Sequence, residues 1–320
     1  MQATHSDRGD PLRQCAAAVL MVRPAAFGWN PETAASNRFQ AAASGATGDA
    51  NARAVAEFDV LAGALSSAGV TVHAFADRAE PACPDAVFPN NWLSLHADGT
   101  VVLYPMLAPN RRRERRLEFV LELERRGCRL ERLVDLTHHE LEGRFLEGTG
   151  SVVFDHVSRT AYACLSPRTD ADVLGDLCGE IGYEPVTFEA CDQLGVAVYH
   201  TNVMLSVGSS FALVCAEAVA EGQRRALLER LASGGRRVLE IDRGAMAAFS
   251  GNVLELRGTA GTRVLAASQC ALRALSPEVR AALAGCVDRV VSAPVPTIEA
   301  LGGGSVRCML AEVFLPGAGG

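Results

Sequence analysis

Gly302-Gly303-Gly304-Ser305-Val306-Arg307-Cys308-Met309-Leu310 is the stretch from which the fold is read. Three consecutive glycines permit a sharp turn and a close approach of backbone to a ligand. The apolar run that follows, Met309 to Leu315, has the length of a strand and stops at Pro316. Cys308 therefore stands where a loop enters a strand, a place from which a thiol can face a cleft. Taken alone, a free cysteine is usually a small buried hydrophobe. What raises Cys308 above that reading is its company, because acid, imidazole and amide side chains stand at other strand entrances of the same chain.

Working outward, the chain alternates short apolar runs with helical spacing. Residues 1–14 are polar and are expected to be a disordered N-terminal segment, leaving 15–320 as a single catalytic domain. Cys15 to Val22 reads as a strand. Asn51 to Ala68 has Val55, Phe58, Leu61 and Leu65 on one helical face, and Val70 to Phe75 is a second strand. Hairpins are expected at 93–104 around Asp98-Gly99 and at 152–165, and further strands at 129–136, 185–188, 196–199, 211–215, 237–241, 253–257 and 263–267. Arg111-Arg112-Arg113-Glu114-Arg115-Arg116 opens a helix to Gly127 and reads as a solvated face. The rhythm of strand, hairpin, helix and strand recurs about five times, which is a repeat signal. Hairpins alternating with single helices do not suit a doubly wound sheet. An α/β fold whose loops converge on a centre is expected.

Composition narrows the class. The 320 residues are 49% hydrophobic and 21% charged, as in globular proteins, and the net charge of −7 argues against a nucleic-acid partner. Ten cysteines are scattered without metal-ligand spacing, which suits reduced thiols and a cytoplasmic home. Arg13 and the short apolar run after it mimic a signal peptide only faintly. No stretch approaches the about 18 apolar residues of a membrane span.

Four loop positions carry polar chemistry at strand ends: Asn90-Asn91, Glu147, His200 with Asn202, and Cys308. Thiol, imidazole and carboxylate are the parts of an activated nucleophile, although a thiol protease or a transglutaminase would use the same trio.

The flanking motifs separate these readings. Leu146-Glu147-Gly148-Thr149-Gly150 resembles the Glu-Gly-Gly-Asp loop of the arginine deiminase and amidinotransferase (pentein) superfamily. Tyr199-His200-Thr201-Asn202 resembles its His-x-Asp element, and Ser305-Val306-Arg307-Cys308 its terminal nucleophile loop. Phe88-Pro89-Asn90-Asn91-Trp92 stands where Phe-x-Arg-Asp occurs in the deiminases, and Ser166-Pro167-Arg168-Thr169 resembles their Glu-Arg-Thr element. More narrowly, Val22-Arg23-Pro24 and Asn30-Pro31-Glu32-Thr33 with the Phe-Pro-Asn-Asn-Trp run resemble the citrulline-utilisation hydrolase branch.

The resemblance implies a five-bladed β/α propeller of pseudo-symmetric ββαβ repeats. It implies Cys308 as nucleophile, His200 as proton shuttle and Glu147 as its orienting acid. Substrate would be held by Asn91, Asn202 and Arg168, with Arg168 on the α-carboxylate, and also by Asn30 and Asn252. No metal or organic cofactor is implied; the expected partner is a small amino acid, and a homo-oligomer stays open. Where deiminases place two aspartates against a guanidinium, this chain has Asn91 and Asn202, and Gly150 replaces the loop's aspartate. A guanidinium wants carboxylates, whereas a neutral ureido group pairs with amides both ways. Citrulline hydrolysis to ornithine, ammonia and carbon dioxide is therefore expected. An arginine deiminase or dihydrolase, an amidinotransferase and a non-catalytic amino-acid-binding propeller remain the alternatives.

Overall fold

Asp98-Gly99 shows how the chain makes its hairpins. Gly99 takes φ of 85°, and the Asp98 carboxylate accepts from the Thr100 amide at 3.0 Å, so the backbone reverses between two apolar strands. The computed structural model describes residues 11–40 and 49–317. Within them, β1 (Ala18–Arg23) leads through α1 (Pro31–Ala34) and α2 (Ala50–Ser67) to β2 (Thr71–Ala76), which pairs parallel to β1. β3 (Leu93–Leu95) and β4 (Thr100–Leu103) form an antiparallel hairpin, and α3 (Leu117–Arg125) returns the chain to β5 (Arg132–Asp135), parallel to β4. α4 (Gly148–Ser151) precedes the hairpin of β6 (Val153–Asp155) and β7 (Thr160–Cys164), and α5 (Ala171–Ile181) leads to β8 (Glu184–Phe188), parallel to β7.

The pattern repeats with β9 (Leu205–Val207), β10 (Phe211–Val214), α6 (Glu221–Ala232) and β11 (Arg237–Glu240). After α7 (Arg243–Ala247) it repeats again with β12 (Leu254–Arg257), β13 (Arg263–Ser268), α8 (Gln269–Ala274), α9 (Pro277–Ala284) and β14 (Arg289–Ala293). Finally α10 (Pro296–Gly302) leads to β15 (Ala311–Val313), which runs antiparallel to β1 and completes the first unit. Every unit thus has an antiparallel pair followed by a parallel strand. Two units share one sheet, β2-β1-β15-β3-β4-β5, and the other three form separate three-stranded sheets.

Burial follows this order. The short first strands β3, β6 and β9 are buried throughout, while the last strands β5, β8 and β11 mix exposed and covered positions. β6 lies against β9, and β9 against β12. α2 covers the first unit with Ala54, Phe58, Leu61 and Leu65; of the stripe its spacing predicts, Val55 is only half-buried and Ala54 takes its place. Truncating one such leucine to alanine costs about 2–5 kcal/mol.

The polar turns that carry the site all stand before first strands: Pro89–Asn91 before β3, α4 before β6, Thr201–Val203 before β9 and Val306–Met309 before β15. The fold therefore delivers the candidate residues to one end of its buried strands.

Three expectations are corrected. Pro11–Gln14, placed in a disordered segment, form a 3-10 turn, and Gln14 is buried with Nε2 donating to Phe154 O at 2.8 Å and Val207 O at 3.1 Å. Carbonyls of β6 and β9 supply the acceptors that hold it; residues 1–10 lie outside the described residues. Arg111 is buried in a 3-10 turn, Pro109–Glu114, because Glu114 pairs with it at 2.8 Å. The helix then begins only at Leu117. Residues 196–199 form no strand, since the Asp192 carboxylate binds the Leu194 and Val196 amides at 2.8 and 3.0 Å and folds that segment into a loop.

Candidate active site

Glu147 enters the site as the residue before α4 and is fully buried. A buried carboxylate needs partners, and this one has several. Its Oε2 accepts from His200 Nε2 at 2.9 Å and from Arg168 Nη1 at 3.3 Å, and Oε1 accepts from the Leu107 amide at 3.1 Å. Burial pushes the carboxyl up, but Arg168, His200 and Arg111 together hold it well below the usual carboxylate range. Burial pushes His200 down to about 4, against the pull of Glu147. An ionised Glu147 beside a neutral His200 fixes the tautomer: Nε2–H donates to the acid, and Nδ1 keeps a lone pair.

Gly150 explains itself at this point. A Cβ there would lie 2.4 Å from Asn91 Nδ2 and 2.6 Å from His200 Nδ1. The position departs from an acidic loop because an amide and an imidazole occupy its space.

Cys308 sits inside the turn Val306–Met309, with Sγ 3.3 Å from Asn252 Nδ2 and 3.6 Å from Asn202 Nδ2. Burial raises its pKa. Among the described residues no hydrogen bond joins Cys308 to His200, yet both line one narrow pocket. Thiol and imidazole thus face the same pocket.

The structure brings Cys308, His200, Asn91 and Arg168 to that pocket. Glu147 stands behind His200 rather than on the wall. Asn202 and Asn252 stand at the sulfur, and neither is part of the pocket lining. Asn30, expected to hold substrate, caps α1 and donates to Asp85 Oδ2 at 2.7 Å, one residue removed from the pocket.

The sequence reading missed Asp85, Arg111 and Tyr199, all of which line the pocket. Asp85 is buried; its Oδ2 is held by Asn30 and by Thr33 Oγ1 at 3.3 Å, while Oδ1 has no hydrogen-bond partner among the described residues. An acid followed by Ala86-Val87-Phe88 was the signal available for it. Arg111 donates from Nη1 to Asn91 Oδ1 at 2.9 Å. Its charged neighbours in sequence hid it. Tyr199 donates to Gly303 O at 2.5 Å and lies under the Arg168 guanidinium. α1 and the segment after it roof the pocket: Arg168 Nη2 donates to Thr33 O at 3.1 Å and Ser36 Oγ at 2.7 Å, and Asn37 Nδ2 to Gly302 O at 3.2 Å. Among the described residues no group of three or more His, Cys, Asp or Glu is placed to hold a metal ion. No described helix is long and apolar enough to cross a membrane.

Comparison with solved structures bears on the fold. The N-terminal domain of ArgZ, an arginine dihydrolase of the ornithine–ammonia cycle in cyanobacteria, bound to substrate, superposes with a TM-score of 0.70 at 17% identity, covering 92% of this chain and 97% of that one. AgrE, as a cysteine variant with L-arginine, gives 0.71 at 19% identity over 92% of this chain and 40% of that longer one. A dimethylarginine dimethylaminohydrolase holding an S-methyl-L-thiocitrulline adduct gives 0.62 at 16% identity over 92% and 98%. At such identities the likeness speaks for the α/β fold alone. Among curated proteins none matches the chain in sequence. The family model described as N,N dimethylarginine dimethylhydrolase, eukaryotic, however, matches residues 23–315. That span takes in every motif quoted above but for Val22 at its edge, and this chain therefore belongs to the dimethylarginine dimethylhydrolase family, within the pentein superfamily of guanidino-group-modifying enzymes.

Proposed function

We propose that this protein is a cysteine hydrolase that opens the ureido carbon of citrulline, yielding ornithine, ammonia and carbon dioxide from one citrulline and one water. The observation that carries this reading is the orientation of Asn91. Arg111 donates to its Oδ1, which settles which end of the amide is which, and Nδ2 is left buried without a partner. A buried donor without an acceptor is costly. A ureido carbonyl supplies the acceptor; a guanidinium, which carries only donors, does not.

The remaining groups follow from charge. Asp85 and Arg168 both meet Thr33 under the roof, through its hydroxyl and its carbonyl. They form an ammonium acceptor and a carboxylate donor for the two charges of an α-amino acid. The planar head then reaches Cys308, Asn91 and His200. Sγ attacks the ureido carbon as the thiol proton passes to His200 Nδ1, and the imidazolium so formed is stabilised by Glu147. His200 returns that proton to the departing nitrogen as the C–N bond breaks. Water, deprotonated by His200, attacks the S-carbamoyl carbon and releases the thiolate, and the resulting carbamate loses carbon dioxide. Neither metal nor organic cofactor is required.

A second reading, arginine as substrate, is favoured by the unpartnered Asp85 Oδ1, because a carboxylate on the pocket wall also suits a guanidinium. L-Citrulline, L-arginine and N,N-dimethylarginine, supplied separately to the purified protein with Cys308→Ala as control, separate these cases. Ornithine and ammonia from citrulline support the ureido hydrolase. Citrulline accumulating from arginine overturns the Asn91 argument, ornithine from arginine means a dihydrolase, and dimethylamine release means the reaction for which the family is named. Turnover only with an added amine acceptor means an amidinotransferase, and no turnover at all leaves an amino-acid-binding protein.

The same reading places the chain in the citrulline-utilisation branch, as one catalytic domain over 15–320 whose five three-stranded units close into a propeller. All ten cysteines are free, which suits a cytoplasmic setting.

A further inference from the structure

In a Cys–His pair the imidazolium holds the thiolate by charge. Here the sulfur has a different neighbour. Asn252 is fully buried, and every arm of its amide is engaged. Its Oδ1 accepts from the Arg307 amide at 3.1 Å. That bond turns Nδ2 toward Asn202 O at 3.0 Å and Cys308 Sγ at 3.3 Å. The residue before this turn is strained into place: Phe249 adopts φ of 63°, rare for a non-glycine residue, and its carbonyl binds the Asn252 amide at 2.8 Å. Asn202 adds a longer contact, Nδ2 to Sγ at 3.6 Å, from the turn before β9.

We propose that Asn252 is a catalytic residue, a neutral amide donor that holds and aims the Cys308 sulfur in its anionic form. The inference rests on Cys308 being the nucleophile, as in the function proposed above, and goes beyond it by moving Asn252 from the substrate to the thiolate. A neutral thiol sulfur is a weak acceptor and an anionic one a strong acceptor, so a fixed N–H favours ionisation. Burial pushes the thiol up, and the Ser305 backbone, Asn252, Arg307 and Asn202 oppose it. The charged and titratable groups facing the sulfur are Arg307 on its own turn, Tyr199 and His200 from the turn before β9, and Asp85, Arg111 and Arg168 across the pocket. An amide that ionises the thiol without adding charge leaves the pocket's own charges available to the substrate.

The test needs no substrate. Iodoacetamide alkylation of Cys308, followed from pH 6 to pH 10 by mass spectrometry of the Cys308 peptide, reports the thiolate fraction. Asn252→Ala should move the midpoint upward and slow alkylation at pH 8 by about ten-fold, the loss of one hydrogen bond to a charged acceptor. Asn252→Asp keeps the shape and the Arg307 contact but turns an oxygen toward the sulfur, so its midpoint should rise at least as far. Both variants should also lose kcat with KM for citrulline little changed. A midpoint that stays in place in either folded variant overturns the proposal. Should Asn252→Ala fail to fold, the aspartate variant decides alone. Because alkylation is read without turnover, a wrong assignment of substrate leaves this result interpretable, and a wrong role for Asn252 leaves the product assay untouched.

Discussion

Asn91→Asp exchanges one atom of the site and tests the choice of substrate directly. Oδ1 keeps the Arg111 Nη1 bond at 2.9 Å, now as an ion pair, so the side chain should stay where it is. The atom that changes is Nδ2, which lies beside the site of Gly150 and His200 with no partner of its own. For citrulline the exchange removes a donor to the ureido carbonyl and places an anion there, a loss of about 1.5–3 kcal/mol, or ten- to hundred-fold in kcat/KM. For arginine the same atom becomes a charge-assisted acceptor for an N–H donor and gains a similar amount. Their preference ratio should therefore swing toward arginine by about a hundred-fold or more. The assay is steady-state release of ornithine, citrulline and ammonia from each substrate, with thermal melting as a check that the variant is folded. Equal losses for both substrates, or a citrulline kcat/KM within about three-fold of the parent, would refute the reasoning that this amide faces a carbonyl.

Gly150→Ala puts a methyl into the space of Asn91 Nδ2 and His200 Nδ1, both nearer than 3 Å to the new atom. Displacing two site groups should cut kcat by about a hundred-fold, readable by the ammonia assay, while the melting temperature moves far less. Asp85→Asn removes the charge from the proposed ammonium acceptor, so KM for citrulline should rise about ten-fold with kcat largely kept, and an unchanged KM would take Asp85 out of the proposed amino pole. His96, His156 and His200 are held by burial down to about 4, about 3 and about 4. Unfolded, each takes a proton near pH 6.5, so the unfolded chain binds protons that the folded chain refuses, and stability falls as pH drops from about 6.5 toward 4. Glu147, held low when folded, adds a further loss below about pH 4.5. Glu114, pushed up to about 7 by burial, works in the opposite sense over the same range, so the check is made ring by ring: the C2–H NMR shifts of His96, His156 and His200 should stay those of neutral imidazole down to about pH 5, and a ring titrating near 6.5 would contradict its neutral burial.

The resemblance to known motifs located Glu147, His200 and Cys308 because each carries its chemistry in a local loop, and the hairpin around Asp98-Gly99 was visible for the same reason. The partners of those residues were not local. Asp85 is held by Asn30 across 55 residues, and Cys308 is met by Asn202 and Asn252 across 106 and 56. No periodicity records such meetings; they follow from first strands gathering at one end. Arg111 was misread because salt pairing with Glu114 three residues on looks, in sequence, like any solvated helix face. Burial of that pair is what gives it a role. The consequence reaches the substrate argument itself. Two asparagines in place of two aspartates were counted as two reasons for a ureido group, but Asn202 faces the sulfur and says nothing about the head it attacks. Asn91 alone bears on that choice, and only because Arg111 fixes which end of its amide is left without a partner. The proposed preference for citrulline thus depends on a cation that reads, in sequence, as part of a solvated face. Arg111→Lys, which cannot hold both Glu114 and Asn91 with the same fork, should let the Asn91 amide turn and narrow the gap between citrulline and arginine.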